Sequence, residues 1–207
     1  MIGGWGGLIV LTDRRQCERA GRRLPEVVSE AAGAGAGRFV FREKDLDRQA
    51  RRDLAAECLM ATSAQGASLI VASDAALARD LGVRCVHLAH DDRAPDERGV
   101  QFGRSCHDSA EAGAAALEGA AYVTASPVFA SPSKPGYGPE LGEDGLRALV
   151  AAAGGVPVYA LGGVTPERCS DCVRWGAAGV AVMSHVMGAA DPAVAVASLL
   201  AVLRFSG

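Results

Sequence analysis

Pro157-Val-Tyr-Ala-Leu161 runs directly into Gly162-Gly163-Val164-Thr165-Pro166. After a helical stretch, Gly179-Val-Ala-Val-Met183 runs into Ser184-His185 in the same way. Each half is a short apolar strand, then small residues, then a helix start. Thr165 suits an N-cap, with Pro166 at the first helical position, where a missing N–H costs nothing. Gly162 and Gly163 let backbone N–H groups approach a ligand that a Cβ would hold off. Two neighbouring turns of this kind aim N–H donors and helix dipoles at one phosphate. In (β/α)8 barrels the phosphate site is often formed by the loops after strands seven and eight. Read alone, Gly-Gly is equally a tight turn. Its repetition as a unit at the end of the chain favours an anion cradle of Gly162, Gly163, Met183 and Ser184. On that reading a β-branched residue at Gly163 weakens phosphate binding and leaves the fold intact.

Working outward, six more short β-rich runs precede this pair: Leu8 to Thr12, Arg38 to Arg42, Ser68 to Ala72, Arg84 to Leu88, Val100 to Arg104 and Ala121 to Ala125. Helical patterns lie between them at Leu24 to Ala32, Asp47 to Ser63, Asp74 to Leu81, Asp108 to Gly119 and Leu146 to Ala153. Asp13-Arg14-Arg15 reads as a polar loop. Strands apolar on both faces fit a parallel sheet buried between helices. A doubly wound open sheet uses similar units, but eight of them favour closure. The expected fold is α/β, a single (β/α)8 TIM barrel spanning residues 1–207. The long loop from Phe129 to Gly142 has the length of a functional lid.

Composition narrows the partners. The chain has 207 residues, 49% of them hydrophobic, and a net charge of −3 with no basic block, which argues against nucleic acid. No stretch reaches the roughly 18 apolar residues of a membrane span. The N-terminus lacks a basic region and a long apolar run, so a cytoplasmic protein is expected. Six cysteines do not make a disulfide scaffold in a chain this long. Cys169-Ser-Asp-Cys172 is a lone pair within a helix, expected as surface or half-buried thiols rather than a zinc site.

A barrel places its chemistry at the C-terminal strand ends. Those positions hold Arg42 and Lys44, Ser73 and Asp74, His90, Asp91 and Asp92, Ser105, Cys106 and His107, and Ser131, Ser133 and Lys134. Guanidinium, ammonium and hydroxyl groups suit a polyanionic substrate, and the carboxylates suit Mg²⁺ bridging its oxygens. Each has a plainer use as well: a solvated charge cluster at Arg42-Glu43-Lys44, ordinary loop residues at Asp91-Asp92, an N-cap at Asp74. No nucleophile elbow is present. Cys106 and His107 are neighbours on a strand and face opposite ways.

Taken in order, Val10-Leu-Thr-Asp13, Arg42-Glu-Lys-Asp-Leu46, Val86-His-Leu88 with Asp91-Asp92, Gly103-Arg-Ser-Cys-His107, Ser126-Pro-Val-Phe-Ala-Ser-Pro-Ser-Lys134, Ala160-Leu-Gly-Gly-Val-Thr-Pro166 and Gly179-Val-Ala-Val-Met-Ser184 resemble the thiamine phosphate synthase and thiazole tautomerase superfamily. The resemblance implies an enzyme of thiamine biosynthesis. A synthase joins a pyrimidine methyl diphosphate to a thiazole phosphate and releases pyrophosphate by a dissociative route. It implies Arg42 and Lys44 on pyrophosphate, with Ser131, Ser133 and Lys134 closing over it. Ser105 would lie near the reacting centre, Asp92 would bind Mg²⁺, and the glycine cradle would hold the thiazole phosphate. Val40, Ala72 and Ser73 depart from the synthase pattern; Asp74 is the carboxylate that could stand in for the lost one. A tautomerase, needing no metal and using His107 as base, is the alternative, although Pro127 departs from that pattern. A non-catalytic or repurposed phosphate-binding barrel is the third possibility. A homo-oligomer is compatible with all three.

Overall fold

The computed structural model describes residues 7–130 and 139–205. In chain order the elements are β1 (Gly7–Leu11), α1 (Arg14–Arg19), α2 (Leu24–Gly33), β2 (Arg38–Phe41), α3 (Arg48–Ala64), β3 (Ser68–Ala72), α4 (Ala75–Asp80), β4 (Cys85–Leu88), β5 (Gln101–Cys106), α5 (Ser109–Leu117), β6 (Tyr122–Ala125), α6 (Gly142–Ala152), β7 (Val158–Leu161), α7 (Pro166–Arg174), β8 (Gly179–Val182), α8 (Ser184–Met187) and α9 (Pro192–Phe205). Neighbouring strands pair in parallel and in sequence, and β8 pairs back onto β1, closing an eight-stranded barrel. The expected (β/α)8 architecture is the one observed.

Alternation along each strand separates two apolar regions. Ile9, Leu11, Val40, Ile70, Cys85, Tyr122, Tyr159 and Ala181 fill the barrel interior. Phe39, Phe41, Val86, Phe102, Val123 and Val180 belong to the layer between strands and helices. Gly179 is required at the base of the β8–β1 seam, where a Cβ would lie 2.0 Å from the Gly7 carbonyl oxygen.

Two local expectations are corrected, the loop at Asp13-Arg14-Arg15 and the exposure of the Cys169–Cys172 pair. Asp13-Arg14-Arg15 does not remain a loop: Asp13 accepts from the Gln16 N–H and starts α1. Asp, with its side chain bonded to the N–H three residues on, is a common N-cap. Residues 89–100, between β4 and β5, carry no helix, so the strand–helix alternation is interrupted there. Cys169 and Cys172 are fully buried, because a spacing of three puts both on the inward face of α7.

Candidate active site

Strand alternation turns Arg42 to the barrel side shared with Val40 and turns Glu43 away from it. Glu43 is 3% exposed. It accepts hydrogen bonds from Thr12 Oγ1 at 2.7 Å, from the Arg14 N–H at 3.1 Å and from Arg14 Nη1 at 3.2 Å. Thr12 Oγ1 in turn accepts from the Arg42 N–H at 3.0 Å. Arg14 also grips Asp45, whose carboxyl is held down to about pKa 2 chiefly by that hydrogen bond. A carboxylate buried beneath the rim therefore sets the backbone from which Arg42 and Lys44 project.

Across the rim Lys44 Nζ donates to Ser73 Oγ at 2.7 Å, and Ser73 Oγ donates to Asp92 Oδ2 at 2.5 Å. The same Asp92 oxygen accepts from the Ala89 N–H at 2.7 Å. Ser73 lies in the left-handed region at φ 52°, alone among the described non-glycine residues. This conformation is unfavourable by roughly 1–2 kcal/mol, and the two side-chain bonds hold it. Desolvation lowers the Lys44 pKa, as does repulsion from Arg42 and Arg51, against the pull of Asp92. Desolvation works to raise Asp92, but the Ser73 and Ala89 hydrogen bonds with Lys44 and Arg104 outweigh it, and its pKa falls.

The helix-free connection that carries Asp92 is held from outside the barrel. Arg104 Nη1 donates to the carbonyls of Ala89, His90 and Asp92 at 3.0, 3.1 and 2.8 Å, and Nη2 donates to Glu118 at 2.6 Å. Asp74 is engaged elsewhere: Oδ1 caps α4 at the Leu77 N–H and Oδ2 accepts from Arg51 at 2.8 Å. Both of its oxygens are in use, which makes it a poor stand-in for a metal carboxylate.

Inside the barrel, register sets His87 beside Gly103 and Gly103 beside Tyr122. A Cβ at Gly103 would fall 2.1 Å from the Tyr122 ring, so the phenol crosses β5 only over a glycine. Its hydroxyl meets His87 Nδ1 at 2.9 Å, and His87 Nε2 meets Ser105 Oγ at 2.9 Å. Burial first, then Lys44 and Arg42, pushes the His87 pKa down to about 4, so the ring is neutral at pH 7. His87, Tyr122 and Arg104 are absent from the residues expected from sequence as site candidates. The inward parity of His87 with Cys85, and the glycine between two large neighbours, are the signals that could have found the first two.

Gly162 and Gly163 adopt φ 96° and 63°. Their first requirement is packing. A Cβ on Gly162 would lie 2.9 Å from Pro127 Cα, and one on Gly163 would lie 2.3 Å from the Ala130 carbonyl oxygen. Val128 and Phe129 donate backbone N–H groups to Leu161 and Gly162 here. A β-branched residue at Gly163 therefore disturbs the loop after β6 as well as any anion site. Thr165 precedes α7 but makes no side-chain capping bond; its hydroxyl pairs with Glu167, lowering that carboxyl's pKa. Met183 and Ser184 open the short α8, with Ser184 exposed. His107 Nδ1 lies 2.6 Å from the Ser126 carbonyl oxygen, and its ring packs edge-on against His90. Ser131, Ser133 and Lys134 lie outside the described residues.

Arg42, Lys44, Ser73, Asp92 and the His87–Ser105 pair thus converge on the C-terminal mouth of β2 to β5. The thiamine monophosphate synthase family model matches residues 8–186. The chain is 37% identical over 202 residues to a thiamine-phosphate synthase of Roseiflexus castenholzii, covering 95% of this chain and 87% of that one. It is also 37% identical over 194 residues to the thiamine biosynthesis bifunctional protein ThiM/ThiE of Symbiobacterium thermophilum. That match takes in 89% of this chain but only 40% of the bifunctional protein's length. A solved structure, thiamine phosphate pyrophosphorylase from Pyrococcus furiosus, superposes with a TM-score of 0.85 at 26% identity, over 97% of this chain and 96% of that one. A match over most of the barrel, at this identity, means that the chain belongs to the thiamine monophosphate synthase family.

Proposed function

We propose that the chain is a thiamine-phosphate synthase, joining a pyrimidine methyl diphosphate to a thiazole phosphate with release of pyrophosphate. The observation that carries this reading is the Lys44–Ser73–Asp92 line under Arg42, two cations and one carboxylate at a single barrel rim. Cationic donors fixed where negative charge develops on a leaving diphosphate stabilise the transition state. Ser105 faces the same mouth from β5, and the Gly162–Gly163 turn after β7 with the Met183–Ser184 turn after β8 is the proposed seat of the thiazole phosphate. Ser131, Ser133 and Lys134 are proposed to close over the diphosphate.

Among the described residues no group of three or more His, Cys, Asp or Glu side chains forms a metal cage. Mg²⁺ is commonly bound by one or two carboxylates with substrate phosphates completing its shell. Asp92, whose bonds from Ser73 and Ala89 both fall on Oδ2, fits that role. When bound, the ion would neutralise diphosphate charge. Ala72 and Ser73 leave Asp92 without a second rim carboxylate, so a high Mg²⁺ requirement is expected, relieved by the pair Ala72→Asn and Ser73→Asp. The test is turnover of the two substrates to thiamine phosphate as Mg²⁺ is raised. No product at saturating Mg²⁺, with the restoring pair equally inactive, would rule out the synthase reading. Mg²⁺-independent proton exchange on a thiazole carboxylate phosphate, lost in His107→Ala, would replace it with the tautomerase.

A further inference from the structure

We propose that Ser73 and Arg51 are positioning residues: the Ser73 hydroxyl is a neutral spacer that keeps Lys44 and Asp92 from closing on each other, and Arg51 locks the turn that puts it there. Lys44 is thereby kept available to the diphosphate and Asp92 to a cation. This rests on the synthase reading of the site.

An ammonium and a carboxylate on one rim attract, and once paired each is neutralised by the other. Here a hydroxyl stands between them. Ser73 Oγ accepts from Lys44 Nζ at 2.7 Å and donates to Asp92 Oδ2 at 2.5 Å. A serine hydroxyl has one proton to give and lone pairs to receive with, so it satisfies both charges and carries none. These contacts use one N–H of Lys44 and one oxygen of Asp92. Strand alternation would turn residue 73 outward, because Ala72 faces the barrel interior. The left-handed backbone at φ 52° brings its hydroxyl to the rim instead.

The turn is pinned on both sides of that residue. Arg51, on α3 and with its side chain 13% exposed, donates from Nη2 to the Ala72 carbonyl at 2.7 Å and from Nη1 to Asp74 Oδ2 at 2.8 Å. The Ser73 N–H itself donates to the His87 carbonyl at 2.9 Å. One planar fork thus holds the peptide before Ser73 and the side chain after it, which the single ammonium of a lysine does less well. Asp74, a poor metal carboxylate, is the outer anchor of this turn. Ser73→Asp keeps the acceptor for Lys44 and loses the donor to Asp92, a loss that only a bound cation makes good.

Binding of inorganic pyrophosphate in EDTA, measured by calorimetry, reads the spacer without turnover or metal. Ser73→Ala should raise the Kd about 10-fold, because Lys44 must first leave Asp92. Crystals of that variant should show Lys44 Nζ paired directly with Asp92. Ser73→Asn should recover most of the affinity, since its amide also accepts and donates and asparagine tolerates the left-handed region. Arg51→Lys should raise the Kd about 3-fold, with the thermal midpoint followed alongside. Combined with Ser73→Ala it should add nothing, because groups acting in one line are not additive. Lys44 and Asp92 still apart in Ser73→Ala overturn the spacer, and so does an unchanged Kd. If Ser73→Ala does not fold, Ser73→Gly, free of the left-handed strain, carries the same test. A double variant weakened by the product of the two factors overturns the part given to Arg51. Wild-type protein that makes no thiamine phosphate removes the synthase reading, while the separation of Lys44 and Asp92 in the variant crystals still decides the spacer.

Discussion

Replacing Glu43 by alanine strips Thr12 and Arg14 of an acceptor they share 3% exposed beneath the rim. Breaking one side of a buried, hydrogen-bonded pair costs about 3 kcal/mol or more. Urea unfolding should show a loss of that size for Glu43→Ala, with roughly half of it returned by Glu43→Gln, which keeps an acceptor oxygen for Thr12. Equal stability in the two variants would mean that only the charge matters. His87 gives the pH behaviour. Its pKa is about 4 in the folded protein and roughly 6.5 in an unfolded chain. As pH falls, the unfolded chain therefore takes up the proton first. The stability from a neutral buried ring is complete above about pH 6.5 and is lost progressively towards pH 4, on the order of 3 kcal/mol in all. Carboxylates also titrate at the lower end of that window, so the check is the difference between wild type and His87→Asn from pH 7 to 4. A constant difference would disprove the assignment.

At the scale of elements, what could be read from the sequence depended on whether one element carries its own signal. The eight strands did, through apolar runs followed by small or polar residues, and the helices capped by Asp47, Asp74 and Asp108 start where their side chains accept the N–H three residues on. α1 did not, because six residues of which three are Arg carry almost no apolar periodicity, and its place is set by Asp13 and buried Cys17. Arg42, Lys44, Asp92 and Ser105 could be picked out because strand-end position and residue type coincide. The Tyr122–His87 contact depends on three strands in register and is invisible to any one of them. Arg104 belongs to the same class: it looks like a solvated charge, yet it replaces the missing helix between β4 and β5 by binding three carbonyls. Arg104→Met is expected to cost about 2–4 kcal/mol and to speed hydrogen exchange across residues 89–100, the Ala89 amide most of all, since Asp92 is its acceptor. The Mg²⁺ concentration for half-maximal turnover should rise with it. Unchanged exchange in that connection would show that the loop holds itself.

At the scale of the molecule, barrel closure joins the first strand to the last, and with it the fates of six thiols spread from Cys17 to Cys172. All six are buried: Cys85 in the barrel interior and the others between strands and helices. Burial is the leading cause of a raised pKa for each, to about 11 for Cys17 and Cys169 and about 12 for Cys85, Cys106 and Cys172, with Cys58 higher still. The thiolate is the reactive form, so at pH 8 the native protein presents neither access nor nucleophile. A disulfide-exchange reagent should modify less than one thiol per chain promptly in native buffer and six in denaturant. The slow native reaction then measures opening. Cys85 can be reached only when the barrel itself opens, so its labelling should follow the free energy of global unfolding. Cys169 and Cys172 share one face of α7, against the core. If α7 detaches from an otherwise closed barrel, those two label together and ahead of Cys85, with a weaker dependence on denaturant, as a sub-global opening requires. Labelling of all six at one rate, with one denaturant slope, would instead make closure and helix docking a single cooperative event. Prompt stoichiometric modification of any one thiol in native buffer would contradict the burial on which both outcomes depend.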